Sequence, residues 1–314
     1  MRKISNVASE AAELVAQDVV YWDPEFRDVK GRVVEPVSID GAPVADTHCH
    51  LDMLPHPELA LARAAFHKIS FVVTVVDPTE NPFFTYNNLS TWLELAAGLL
   101  DQWDSVADLP RCRVIIGCHP HNAASYDRAA EEEMIKCLKD ARTAAIGEIG
   151  LDYHYDASPR YVQRQVFRRQ LAIAHEYQLP VALHLRESHE DGLTILDTEG
   201  WPEAGVLLHC YTLGPTELLP FLDRGASVAF GGTLTFKKAD SLREAARQTA
   251  TERIMTETDA PFMAPTPLRG TLCGPEHTRF TAACLAEVCG VMSGGNTSDF
   301  LTEIYHNALR FFDR

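Results

Sequence analysis

Apolar residues along this chain gather into short, nearly unbroken runs separated by longer stretches of mixed character. Eight runs stand out, at residues 44–50, 70–76, 113–118, 144–149, 180–186, 205–211, 226–230 and 253–258. A continuous apolar run of this length is the pattern of a parallel strand buried on both faces. Between the runs, residues 126–140, 161–178, 215–224 and 239–250 read as helices. In 161–178, Val166, Phe167, Gln170, Leu171 and Ala174 fall on one helical face. Strands alternating with helices build a parallel sheet, and eight strands close it, so the expected fold is an α/β (β/α)8 TIM barrel.

The flanks and insertions are less regular. The first 43 residues stand outside the alternation, as an N-terminal extension to a barrel spanning residues 44–314. Within them, 5–16 reads as a helix and 33–39 as an edge strand or an extended cover. Residues 78–109 exceed what a barrel connection needs and carry Phe83, Phe84 and Tyr86 close together. They would form either a packed excursion over the barrel mouth or a lap that touches substrate. The Pro- and Gly-rich stretch 260–275 reads as a long loop, and 298–312 as a terminal helix capped by Ser298.

Composition narrows the function classes. Of 314 residues, 46% are hydrophobic and 23% charged, which supports a packed core and excludes wholesale disorder. The formal charge of −16 argues against a protein held on nucleic acid by a broad basic surface. It leaves room for a cleft whose bound cations dominate the local field. The eight cysteines include no C-x-x-C pair, so free thiols of a reducing compartment are expected. Glu10 and Glu13 interrupt what would have to be an apolar signal segment, and no membrane-spanning run occurs. The expectation is a soluble, cytoplasmic protein with no membrane partner.

The chemistry lies where histidines and carboxylates fall. His48 and His50 end the first apolar run, and residues two apart on a strand face the same way. Glu148 closes the fourth run, His184 the fifth and His209 the sixth, while Asp259 follows the eighth. In a barrel the carboxyl ends of the strands converge. Ionisable groups are costly to bury without partners, and these six have one economical explanation, a shared cation. Four imidazoles and two carboxylates exceed the needs of one tetrahedral ion and suit two divalent ions bridged by a carboxylate. Glu148 is the natural bridge. His48, His50 and Asp259 would complete one ion, and His184 and His209 the other; zinc, manganese and magnesium all fit.

Taken singly, each residue has a plainer role. A buried histidine is commonly a hydrogen-bonded core residue, Asp259 would serve as a helix cap, and Glu148 would close a turn between glycines. Two further groups look aimed at substrate. His121 would bind a phosphate oxygen or donate a proton, with neighbouring His119 equally at home in a turn held by Pro120. Arg186 would offer a fork to a phosphate or carboxylate, or pair with Glu187 or Glu148. Asp156, Glu190 and the run Glu131, Glu132 and Glu133 read as solvated faces.

These same residues carry a resemblance to the TatD family of metal-dependent hydrolases, within the amidohydrolase superfamily. The matching stretches are Asp46-Thr47-His48-Cys49-His50-Leu51-Asp52, Gly117-Cys118-His119-Pro120-His121, Ile146-Gly147-Glu148-Ile149-Gly150-Leu151-Asp152-Tyr153, Leu183-His184-Leu185-Arg186, His209-Cys210-Tyr211 and Thr256-Glu257-Thr258-Asp259-Ala260-Pro261. The resemblance implies magnesium-dependent hydrolysis of DNA, often as a 3′→5′ exonuclease. Where the family has an Asn-Glu-Pro-like segment after a loop arginine, Arg269 leads here to Leu272-Cys273-Gly274-Pro275-Glu276, so that Asn is absent.

The expected activity is therefore that of a phosphodiesterase acting on DNA ends, with two metal ions activating a water and Asp259 taking its proton. Two rivals share the residues. One is a hydrolase of a small ester, amide, lactone or phosphotriester, which the acidic charge favours. The other is a barrel whose metals serve structure or binding.

Overall fold

All eight apolar runs become strands. They are β1 (Val44–Cys49), β2 (Ile69–Val76), β3 (Arg111–Ile116), β4 (Thr143–Asp152), β5 (Val181–Arg186), β6 (Val206–Leu208), β7 (Ser227–Phe230) and β8 (Ile254–Thr256). The computed structural model describes residues 20–39, 41–290 and 296–313; the helix expected at 5–16 lies outside them. The strands pair in parallel in the order β1 to β8. β8 returns to β1 through a bridge between Cys49 and Ala260 and a hydrogen bond from Asp259 N to His48 O of 2.9 Å. Asp46 reinforces that seam, accepting from Thr258 N at 2.9 Å and Thr258 Oγ1 at 2.6 Å. The sheet is a (β/α)8 barrel.

Nine helices surround it among the described residues: α1 (Pro57–Phe66), α2 (Pro82–Gln102), α3 (Arg128–Cys137), α4 (Arg160–Tyr177), α5 (His189–Glu199), α6 (Pro215–Leu222), α7 (Asp240–Gln248), α8 (Thr278–Val288) and α9 (Thr297–Phe312). None is long and apolar enough to cross a membrane. The segment 78–109 is not an excursion over the mouth: it reaches the mouth only at its start, where Glu80 lines the cavity. It is mostly α2, the helix that links β2 to β3. Its Tyr86 hydroxyl hydrogen-bonds Thr143 at the start of β4, the end of the barrel opposite the mouth. The cap of α9 is Asn296 rather than Ser298: its side chain accepts from Asp299 N at 3.1 Å.

Residues 33–39 form an extended cover, with a single antiparallel bridge from Arg27 to Val33. The segment is anchored by Phe26, which stacks on His67 at 4.1 Å and meets Phe280 edge-on at 4.8 Å. All eight cysteines are free.

Inside the barrel, inward-facing Ala45, Phe71, Val73, Ile115, Ala182, Leu207 and Ala229 form one buried layer. Phe311 and Phe312 of α9 pack against it and plug the bottom. Polar groups at the axis can therefore open only toward the mouth. Buried Asn307 ties this plug to the sheet, donating to Thr251 O at 2.7 Å and to Ile254 O at 2.8 Å. Asn307→Ala leaves two carbonyls without their donor, and a loss of about 2–4 kcal/mol is expected. Urea unfolding checks this; an unchanged midpoint would show that α9 is not held through this side chain.

Candidate metal centre

Two strands carry their functional residues on irregularities. Between Ile146 and Ile149, β4 takes one residue more than β5, and Glu148 lies inside that bulge. Between Asp46 and Cys49, β1 takes one more than β2, and His48 lies inside that one. A bulge re-aims a side chain that regular alternation would place otherwise. Beyond the first bulge β4 continues to Asp152, paired with Arg186. Glu148 is thus in the body of the strand rather than at its end. Gly150 pairs with His184 so closely that a Cβ would sit 2.1 Å from the His184 carbonyl oxygen. Asp259 adopts φ 62°, a strained conformation for a non-glycine residue.

These features bring all six sequence-expected ligands to one point. Glu148 is buried, and its two carboxylate oxygens face different partners. Oε1 lies 3.7 Å from His48 Nε2 and 3.5 Å from His50 Nε2. Oε2 lies 2.9 Å from His209 Nε2 and 3.3 Å from His184 Nδ1. Asp259 Oδ1 stands 3.9 Å from His48 Nε2 and 3.7 Å from His50 Nε2.

Three further residues belong here that the sequence reading left aside. His119, for which a turn held by Pro120 was an equal alternative, does begin one, but its Nε2 is also 3.8 Å from Glu148 Oε2 and 3.3 Å from His184 Nδ1. Its signal was the H-x-H spacing of His119 and His121, the same as that of His48 and His50. Asp152 is buried and accepts from His121 at 2.9 Å while facing His184 Nε2 at 3.3 Å. Glu257, two residues before Asp259, lies beneath His209, 3.8 Å from its Nδ1.

The donor set fits divalent metal. Ligand atoms of His48, His50 and Glu148 lie within 4.8 Å of one another, as do those of His119, Glu148 and His184, and those of His48, His209 and Glu257. Both ring nitrogens of His48 are buried without a hydrogen-bond partner, as is Nδ1 of His209. Such orphaned lone pairs are what a cation would satisfy.

Electrostatics sort these groups. Burial, then neighbouring His209, pushes His48 down to about 4. For His50 burial opposes the charge, but Asp259 and Glu148 outweigh it and raise the ring to about 9. For His184 the same contest is won by Asp152 and Glu148, again at about 9. Burial also opposes ionisation of Glu148, yet the surrounding imidazoles hold it well below the usual carboxylate range.

The site opens into a cavity of about 290 Å³ lined in part by His121, Tyr155, Arg186, Phe262 and Met263. Arg186 pairs with neither acid considered for it: its guanidinium lies over the Tyr155 ring at 4.7 Å, and Glu187 bonds His154. Asp156 and Glu131 occupy exposed pairs with Arg160 and Arg169. A second cavity of about 390 Å³, between residues 20–31, α1 and loop 271–277, gathers none of the clustered donors.

Fold and site together define a metal-dependent hydrolase built on a barrel. The chain belongs to the TatD family: the family described as TatD related DNase matches residues 45–313. It is 32% identical over 250 residues to the uncharacterized metal-dependent hydrolase YabD of Bacillus subtilis, covering 77% of this chain and 90% of that protein. It is also 32% identical over 254 residues to the human 3′-5′ RNA nuclease TATDN2, covering 78% of this chain and 32% of that one. The fold is shared with the crystal structure of YJJV, a TatD homolog from Escherichia coli, at TM-score 0.75 and 24% identity, over 88% of this chain and all of that one.

Metal binding should release protons. His50 and His184 are held protonated at neutral pH and must shed those protons to ligate. Apparent affinity of metal-free protein should therefore rise with pH and level off near 9. Calorimetric titration with a divalent cation in two buffers of different ionisation enthalpy measures the release. Affinity flat from weakly acid to alkaline pH would contradict the arrangement.

Proposed function

We propose that this protein is a nuclease that hydrolyses phosphodiester bonds at the ends of single strands, in the 3′→5′ direction, with two divalent cations. The observation that carries the reading is Glu148, whose two oxygens face separate imidazole groups. His48, His50, Asp259 and Glu148 would hold one cation, and His119, His184, His209 and Glu148 the other. Magnesium, manganese and zinc all suit this mixed donor set. When bound, the ions supply Lewis-acid stabilisation of a phosphate and a water of lowered pKa.

The chain's own groups do the remaining work. Asp259 is held in its ionised form: burial opposes the charge, but His50, His209 and His48 outweigh it. It can therefore accept the proton of the attacking water. Arg186, at the end of β5, presents five fixed donors to a phosphate. His121 is oriented by Asp152 at 2.9 Å toward the same cavity and joins Arg186 in holding the phosphate. The family's description as DNases and the naming of TATDN2 as a 3′-5′ RNA nuclease support this substrate class.

One observation favours a second reading, a small ester or phosphotriester as substrate: the net charge of −16. Salt separates the two. Cleavage of a single strand should fall steeply as salt rises, whereas a small neutral ester should be nearly indifferent. Purified protein with Mg²⁺, Mn²⁺ or Zn²⁺ should shorten a 5′-labelled strand from its 3′ end. Asp259→Ala should lower kcat by about 10²–10⁴-fold, the range for loss of a positioned proton acceptor. Glu148→Ala should abolish metal uptake and activity together. No shortening with any of the three ions would remove the nuclease reading.

A further inference from the structure

We infer that the loops after β7 and β8 form a platform for the nucleotides lying 5′ of the bond to be cut, built from Phe236, Lys237, Lys238 and Arg269. The inference rests on the nuclease reading and extends it from the reacting phosphate to the rest of the strand.

Charge distribution is the first observation. Most surface arginines of this acidic chain are clamped to carboxylates, as in Arg168 with Glu199, Arg169 with Glu131 and Arg224 with Asp197. Among the described residues, no ion pair engages Lys237, Lys238 or Arg269, and all three are exposed. The acid closest to them in the chain, Asp240, is paired with Arg243 at 2.7 Å. Cations left unneutralised on an otherwise acidic surface are available to an external anion.

Their position is the second. Both loops leave the carboxyl ends of their strands, on the same face as the metal centre. Gly232 lies so tightly against the second loop that a Cβ would sit 2.1 Å from the Met263 carbonyl oxygen. Thr266 N donates to Thr235 Oγ1 at 2.8 Å. Met263 and Phe262, between these contacts and Asp259, line the metal cavity. The platform is therefore continuous with the cavity wall.

Its geometry is the third. The Arg269 guanidinium lies over the Phe236 ring at 4.0 Å. Arg243 fixes the loop from below, donating to the carbonyls of Leu234 and Phe236 at 2.9 Å each. A guanidinium stacked on a ring, with two lysines following in the same loop, is an arrangement that offers a planar surface to a base and positive charge to phosphates. The same pairing recurs inside the cavity, where Arg186 covers Tyr155. A strand whose 3′ end occupies the cavity would run from one Arg-on-ring pair toward the other. A mononucleotide ester would reach only the first.

The test compares a dinucleotide with a strand of ~20 nucleotides, by turnover and by fluorescence anisotropy of the labelled strand across a salt series. Lys237→Ala/Lys238→Ala should leave dinucleotide kinetics within about twofold while raising KM for the strand by about tenfold or more. Its log–log salt slope for strand binding should flatten by about 1.4, two phosphate contacts at about 0.7 each. Phe236→Ala should weaken strand binding by about tenfold or more with little change in that slope. Equal losses on dinucleotide and strand, or no loss on either, overturn the platform. If the parent binds the strand through these residues but cleaves neither substrate, the nuclease reading fails and the platform stands. A parent that neither binds nor cleaves the strand refutes both.

Discussion

A single carboxylate, Glu148, is buried at the barrel axis between two groups of imidazoles, and the mouth is organised around the need to make that placement tolerable. An isolated ion in such a position costs several kcal/mol. Here the plug of Phe311 and Phe312 closes the opposite end, so water can reach the carboxylate only from the mouth. Each oxygen finds histidine nitrogens instead, but there are more nitrogens than one carboxylate can pair. Both nitrogens of His48 remain without partners, and the ring stacks on His209 at 3.8 Å. Protonating all these rings would crowd positive charges, and leaving them neutral would crowd lone pairs. A metal cation would resolve the conflict, because it accepts several lone pairs at once and counters the carboxylate charge.

That solution demands that side chains from six strands or their ends point inward together. Regular pleating would not achieve it, because alternation turns every second residue outward. The bulges at His48 in β1 and Glu148 in β4 shift the alternation where it is needed. The left-handed backbone at Asp259 does the same after β8. Local irregularity is the means by which a repetitive barrel obtains an irregular site.

The same irregularity explains what the chain disclosed in advance. Apolar runs located all eight strands, because burial on both faces leaves a strong signal. Ionisable groups closing those runs located the six converging residues. Strand ends were read less well: β4 was stopped at Ile149, three residues early, since Gly150 and Asp152 break the apolar run. That truncation hid Asp152, which the longer strand sets opposite Arg186. Helices α1, α2, α5 and α8 were not singled out. In α1 and α8 small apolar residues cover most of the surface and weaken any polar stripe, as in Ala60, Leu61, Ala62, Ala64 and Ala65. In α2 the aromatic cluster near its start drew the reading toward an excursion or a lap over the mouth. His119 was hidden by Pro120, whose turn is real but compatible with a ring aimed at Glu148.

Net charge bears on the choice of substrate only within a limited range. At physiological ionic strength, charges separated by more than about 8 Å of solvent are largely screened. The acids on the helical ring, such as Glu132, Glu199 and Glu244, are paired with neighbouring arginines or lie on the flanks. They contribute little at the mouth. The charge at the mouth is set by Arg186, by Asp52, Asp77 and Glu80, which line the cavity with it, and by whatever ions Glu148 and the imidazoles hold. An acidic exterior then acts against diffuse attachment anywhere else on the molecule. On the nuclease reading, affinity for a polyanion would then be confined to one face, the one where the carboxyl ends of the strands place the chemistry.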